Sequence, residues 1–212
     1  MNSRIEDLFC HFTDPEKKVR RVDLATEVND AYAGHLEAQA AMYRCNVEAL
    51  NKALGGASHF ITIAEGCYDY AVEGQLQEAA TGLNHDNWLD FAALINQSRW
   101  DAEFYAANSL SPNLEHVFKL AAIRARLDCD TLGEAAYEAL PDLLRDKAVG
   151  YLSLHEVAFL ARMTEKAVRN ATQPTAADRL VTRKEGTRTV VDSNEALRWL
   201  NGRRNFVQTK LV

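Results

Sequence analysis

Residues 152–174 read LSLHEVAFLARMTEKAVRNATQP, and residues 180–200 read LVTRKEGTRTVVDSNEALRWL. In the first stretch Ser153 stands three residues ahead of Glu156, the spacing of a capping box. It opens a short apolar helix with Val157, Ala158, Leu160 and Ala161. A tight break at Arg162-Met163 follows. Thr164 can cap a second short helix running through Val168 and Ala171 to Gln173-Pro174. In the second stretch, β-branched runs at 180–183 and 187–191 flank Lys184-Glu185-Gly186, a hairpin signal with glycine at the turn. Asp192 then caps a third helix, with Glu195 at the box position and Ala196, Leu197, Trp199 and Leu200 apolar, until Gly202 closes it.

Helix, tight turn, helix, two-stranded wing and helix is the order of a winged helix-turn-helix. Two helices that cross steeply need a small residue where they meet, and Ala158 supplies it. Val168 provides the apolar contact from the second helix, and Val157 and Leu160 anchor the first. The second helix then exposes Thr164, Glu165, Lys166, Arg169, Asn170 and Gln173, side chains able to hydrogen-bond base edges or phosphates. Trp199 reads as core of this small unit. Arg203-Arg204, just beyond Gly202, read equally as phosphate contacts or as a solvated tail.

Leu152 to Leu200 resembles the winged helix-turn-helix of MerR-type regulators and phage excisionases. The resemblance lies in the Leu-Ser-x-x-Glu-x-Ala opening at 152–158, the Val168-Arg169 pair, the basic-Gly hairpin at 183–188, and the Asp192-x-x-Glu195-Ala196-x-x-x-Leu200 close. It departs at Arg162, where the pattern carries glycine, and in the longer link from Pro174 to Arg179. The arginine has to accept a left-handed backbone. The resemblance implies binding to double-stranded DNA, with the 164–173 helix in the major groove and the 184–188 wing on the flanking backbone. Arg183, Lys184 and Arg188 are the wing cations, and Lys166 and Arg169 the leading contacts on the helix. Glu165 accepts from a cytosine or discourages wrong sites; Asn170 pairs with adenine or merely caps. The contrasting reading is a non-catalytic module whose winged helix docks another protein.

Charge divides the chain in the same place. Between Gly150 and Val212 lie eleven Lys/Arg and six Asp/Glu, a balance of +5. The whole chain holds 24 basic and 30 acidic residues, which leaves 13 and 24 for residues 1–149, a balance of −11. A net charge of −6 over 212 residues therefore hides two parts suited to different partners. The expected architecture is mainly α: an N-terminal multi-helix domain over 1–149, and a C-terminal winged helix-turn-helix over 150–212 with a small β-hairpin.

The first 149 residues read as successive helices. Asp14-Pro15 resembles a helix start. An apolar stripe recurs at Leu24, Val28, Ala31, Tyr32, Leu36, Ala40, Tyr43, Val47, Leu50 and Leu54 until Gly55-Gly56, with Gly34 as a potential break. A single helix of that span is about 46 Å long, and so long a stripe calls for a partner helix, either internal or from a second subunit. It predicts a homodimer through the N-terminal helices. Further helices are expected at 59–73, from an Asp86 cap onward through Trp88 and Ile95, from Ser111-Pro112 through Ala125, and from a Thr131/Glu134 capping box through Leu140 to Leu144. Lys17, Lys18, Arg20 and Arg21 form a basic run read as a solvated face.

No catalytic motif is present. Six histidines (His11, His35, His59, His85, His116, His155) fall on different segments, so no metal site and no cofactor are implied, and no phosphate-loop, dinucleotide or nucleophile-elbow motif occurs. Catalysis in the helical part would require a pocket that gathers ionisable groups scattered along the chain. Cys10, Cys45, Cys67 and Cys129 stand far apart, as reduced thiols of a cytoplasmic protein do. No apolar run reaches membrane-spanning length, and the N-terminus has no secretory h-region.

Overall fold

The computed structural model describes residues 14–78, 82–105, 110–145 and 149–212. These are mainly helical, with a three-stranded antiparallel sheet and a short parallel pair of strands. Helix α1 (Arg21–Tyr43) starts later than Asp14-Pro15 announces, because Asp14 caps only a single turn, through Glu16 N–H at 3.0 Å. It buries Leu24, Val28, Ala31, Tyr32, Leu36 and Ala40, and Gly34 lies inside it without breaking it.

The long rod expected from Leu24 to Leu54 does not form. Arg44 turns left-handed (φ 53°, ψ 43°), and Asn46 accepts from Ala49 N–H at 2.9 Å to cap a separate helix, α2 (Val47–Leu54). Asn is among the strongest caps, and no residue of α2 is buried, so nothing rewards continuing the helix. The first half of the stripe is therefore core. Only its end, with Tyr43, Val47 and Leu54, is exposed, next to the equally exposed Met42.

Helices α3 (Ser58–Ala71), α4 (His85–Tyr105) and α5 (Pro112–Thr131) complete the helical body, with β1 (Gln75–Leu76) between α3 and α4. Asp86 is not the cap of α4. Asn84 accepts from Asn87 N–H at 2.9 Å, and Asn87 returns the bond at 3.1 Å, which puts Asp86 in the first turn. The N-terminus of α5 has no side-chain cap from Ser111. The Glu27 carboxylate, from α1, accepts from the N–H groups of Asn113 and Leu114 at 2.9–3.0 Å. The Thr131/Glu134 box does not form either: Thr131 ends α5 with its hydroxyl on Leu127 O, and Gly133 precedes α6 (Glu134–Ala139). Pro141 lies beyond that helix, in the turn that follows.

Helix α5 is buried on nearly all sides, which marks it as the centre of the molecule. Two of its buried polar residues, Arg124 and Asp128, are fully engaged. Arg124 donates to Ala71 O, Val207 O and Thr209 Oγ1 at 2.8–3.0 Å, and Asp128 accepts from Tyr70 Oη (2.8 Å) and Thr209 Oγ1 (2.9 Å). Burial pushes the Asp128 carboxyl up and the Arg124 guanidinium down from their ordinary ranges, and each opposes the other's shift. This network pins the chain end, where β5 (Lys210–Leu211) lies parallel to β1.

The remaining elements are β2 (Tyr151–Ser153), α7 (Leu154–Ala161), α8 (Glu165–Ala171), β3 (Arg183–Glu185), β4 (Arg188–Asp192) and α9 (Ser193–Asn201). The sheet order is β2-β4-β3, with Leu152 opposite Val191 and Lys184 opposite Thr189. Leu152, Val157, Phe159, Val168, Val191, Trp199 and Leu200 join the α3–α5 residues in one continuous core. Phe159 stacks on His116 of α5 at 5.3 Å, and Arg126 of α5 pairs with Glu156 of α7. The change of charge near residue 150 thus coincides with no gap in the core. Cys67 and Cys129 are buried and Cys45 is exposed; Cys10 lies outside the described residues. No helix of the described chain is long and apolar enough to cross a membrane.

Candidate nucleic-acid interface

The segment opens as its residues require. Ser153 Oγ accepts from Glu156 N–H at 3.2 Å, and Glu156 accepts from Ser153 N–H at 2.6 Å, so the capping box closes in both directions. Its strand partner was not legible: β2 has only three residues, and its pairing is with a strand some forty positions away.

α7 ends at Arg162, left-handed at φ 51° and ψ 53°, as the missing glycine demanded. Its N–H rests on Ala158 O and Phe159 O, and Met163 N–H reaches back to Ala158 O at 3.1 Å. A side chain in this conformation costs on the order of 1 kcal/mol against glycine. The guanidinium is partly buried, donates to Val72 O at 3.4 Å, and is held below its usual range by that burial.

Thr164 Oγ1 accepts from Ala167 N–H at 3.1 Å and caps α8 as expected. Val168 is fully buried, so the turn is held from inside while Thr164, Lys166, Arg169 and Asn170 are exposed. The helix is shorter than 164–173. Thr172 bonds back to Arg169 O through both its hydroxyl (2.8 Å) and its N–H (3.2 Å), so α8 stops at Ala171 and Gln173 sits, exposed, in the following turn.

Glu165 is engaged twice, by Arg169 at 2.6 Å and by His155 Nδ1 at 3.5 Å. The Arg169 side chain is 64% exposed, so this i,i+4 pair is worth only about 0.3–0.5 kcal/mol and does not lock the guanidinium. Lys166 carries no hydrogen bond or ion pair among the described residues.

The hairpin turns at Gly186-Thr187, with Gly186 at φ 59° and Glu185 opposite Arg188. Two-residue loops of this kind need a positive φ, which glycine adopts freely. β3 begins at Arg183, not at Leu180, because Leu180 is buried with its N–H on Ala171 O. Arg183 pairs with Glu185 at 2.8 Å and lies over the Tyr151 ring; Lys184 donates to Thr189 Oγ1 at 2.9 Å. Arg188 is exposed, with no side-chain partner among the described residues.

Asp192 caps α9 through Asn194 N–H at 3.0 Å. Glu195 does not complete a box; it accepts from Val181 N–H and from Arg198. Arg198 also bridges to Asp178 at 2.9 Å, and those two carboxylates raise its pKa. Trp199 is core, its Nε1–H on Asp178 O at 3.1 Å. Arg203 covers that indole at 4.1 Å and pairs with Asp178, so it belongs to the fold, while Arg204 is exposed. In the N-terminal basic run Arg20 pairs with Asp23 and Arg21 with Asp69. No family model, curated protein or solved structure matches the chain.

Proposed function

We propose that the protein binds double-stranded DNA through a winged helix-turn-helix of the MerR or excisionase kind, without catalysis, as a transcriptional regulator or mobile-element accessory factor. α8 enters the major groove and the β3–β4 wing lies on the flanking backbone. The supporting observation is the split character of α8. Its Val168 side is locked into the core, and its outer side offers Lys166, Arg169 and Asn170. Phosphate contacts supply most of the affinity and base edges the sequence preference.

One such unit covers a small footprint, so two copies on half-sites about 34 Å apart are the expected binding form. The Leu24–Ala40 part of the stripe is buried and unavailable for pairing. The homodimer reading therefore moves to the exposed apolar end at Met42, Tyr43, Val47 and Leu54.

A second reading has its own support. Arg169, Arg183, Arg198 and Arg203 all face carboxylates of the same segment, which lowers the positive charge available to a polyanion. That favours docking of another protein. Selection from a random duplex pool, followed by footprinting, separates the two: enrichment of a pseudo-palindromic site supports DNA reading, and no enrichment at low salt ends it.

A further inference from the structure

A cleft of about 470 Å³ opens in the helical body, remote in sequence from α8 and the wing. α1 contributes Tyr32 and His35, the α2–α3 junction Leu54 and Gly56, α3 His59 and Phe60, and α4 Asp90, Ala93, Leu94 and Gln97. Its size falls within the range of small-molecule sites, which combine apolar walls with a few convergent polar groups.

The polar groups are organised from behind. Asp101 is fully buried, and its two carboxylate oxygens accept from His35 Nδ1 and Gln97 Nε2, each at 2.9 Å. A carboxylate has no proton to give, so the Nδ1 position carries the hydrogen and the ring is oriented with Nε2 turned away from Asp101, an acceptor whenever the ring is neutral. Gln97, having used an N–H on Asp101, keeps its carbonyl oxygen as an acceptor. Asp90, half exposed, adds a carboxylate beside His59 Nε2 at 3.3 Å. The Tyr32 hydroxyl is buried and has no hydrogen-bond partner among the described residues, although Tyr32 is only 7% exposed. Orphaned buried hydroxyls are rare and costly, and this one belongs to a residue that lines the cleft.

The wall thus offers acceptors, one carboxylate and aromatic surface from Phe60 and Tyr32, whose rings lie 6.2 Å apart. Neither lysine nor arginine lines it, so an anion finds no counter-charge. Among the described residues no three His, Cys, Asp or Glu side chains converge to hold a metal ion, which leaves an organic ligand as the fit. We propose that this cleft is a binding site for a small organic amine with an aromatic or alicyclic body. Its ammonium donates towards Asp90 and the acceptors that Asp101 orients, and its ring lies against Phe60, Leu54 and Leu94. The site stands independently of the DNA reading.

The test uses the isotope-labelled full-length protein and four probes: tryptamine and 2-phenylethylamine, with indole-3-acetate and 3-phenylpropionate as their carboxylate counterparts. The amines are expected to shift the backbone amides of Gly56, Ala93 and Gln97 in NMR titration, and to bind at least about tenfold more tightly than the carboxylates. Asp90→Asn should weaken the amines about tenfold while leaving the carboxylates unchanged. Ala93→Trp, at an exposed position on the cleft wall, should abolish binding of all four without loss of fold. The proposal is overturned if neither amine moves these amides up to about 5 mM. Equal binding of amines and carboxylates overturns it too, as does unchanged amine binding in Ala93→Trp.

Discussion

Mild acid, above the carboxylate range, should destabilise this protein through one buried side chain, His116. It is 3% exposed on α5, stacked on Phe159 at 5.3 Å, with its Nδ1 unbonded among the described residues. Burial, reinforced by the Lys17 and Arg162 cations, lowers its pKa from 6.5 to about 4. The folded protein therefore refuses a proton that the unfolded chain accepts. Above pH 6.5 neither state is protonated and the stability is intact. Between pH 6.5 and about 4 the unfolded state gains the proton first, so stability falls with falling pH. The slope is about 1.4 kcal/mol per pH unit, and the loss approaches roughly 3 kcal/mol at the lower end. Buried Asp128 and Glu27 have raised pKa values and act with the opposite sign, so the histidine is isolated by difference. His116→Phe keeps the aromatic contact with Phe159 and removes the titration. Urea unfolding of both proteins at several pH values from 7 to 4.5 should show the wild type losing about 2 kcal/mol more than the variant over that span. Parallel pH profiles would refute the assignment of the acid sensitivity to His116.

Three other substitutions follow from the same structure. Glu27→Ala strips the cap from the N-terminus of α5, leaving two N–H donors unanswered, and should cost about 1–3 kcal/mol in chemical unfolding. Arg162→Gly relieves the left-handed backbone and should raise the thermal midpoint, by an amount corresponding to about 1 kcal/mol or less after the lost Val72 contact. The same change withdraws a cation from His116, so the histidine pKa measured by NMR should rise. Arg124→Met leaves Asp128 buried without its cation and frees the Val207–Thr209 carbonyl and hydroxyl, and should destabilise by about 3–5 kcal/mol in the same assay.

What the sequence made legible was local. Ser153/Glu156, Thr164 and Asp192 act as caps within three residues of their targets, and Gly186 places the hairpin turn. The demand on Arg162 was equally readable, because one missing glycine fixes a backbone sign. Features set by tertiary partners were hidden. The stripe at 24–54 has one helical period throughout, yet the molecule buries only its first part, and the cap at Asn46 wins once burial ends. Glu27 displaces Ser111 as the cap of α5 from more than eighty residues away. The cleft was invisible for the same reason: His35 and Asp101 lie 66 residues apart, and no spacing rule joins them. Charge counting was also incomplete, since it could not tell that Arg198 and Arg203 were committed to Asp178.

If α8 and the wing grip a duplex, as proposed, the affinity must depend on salt in a defined way. Full-length protein and Arg188→Ala are titrated against a fluorescent duplex across a range of salt concentrations. Log affinity should fall linearly with log salt, steeply enough for several phosphates, with a slope shallower by about one in the variant. Absence of binding at the lowest salt, or a slope that Arg188→Ala leaves unchanged along with the affinity, would contradict it.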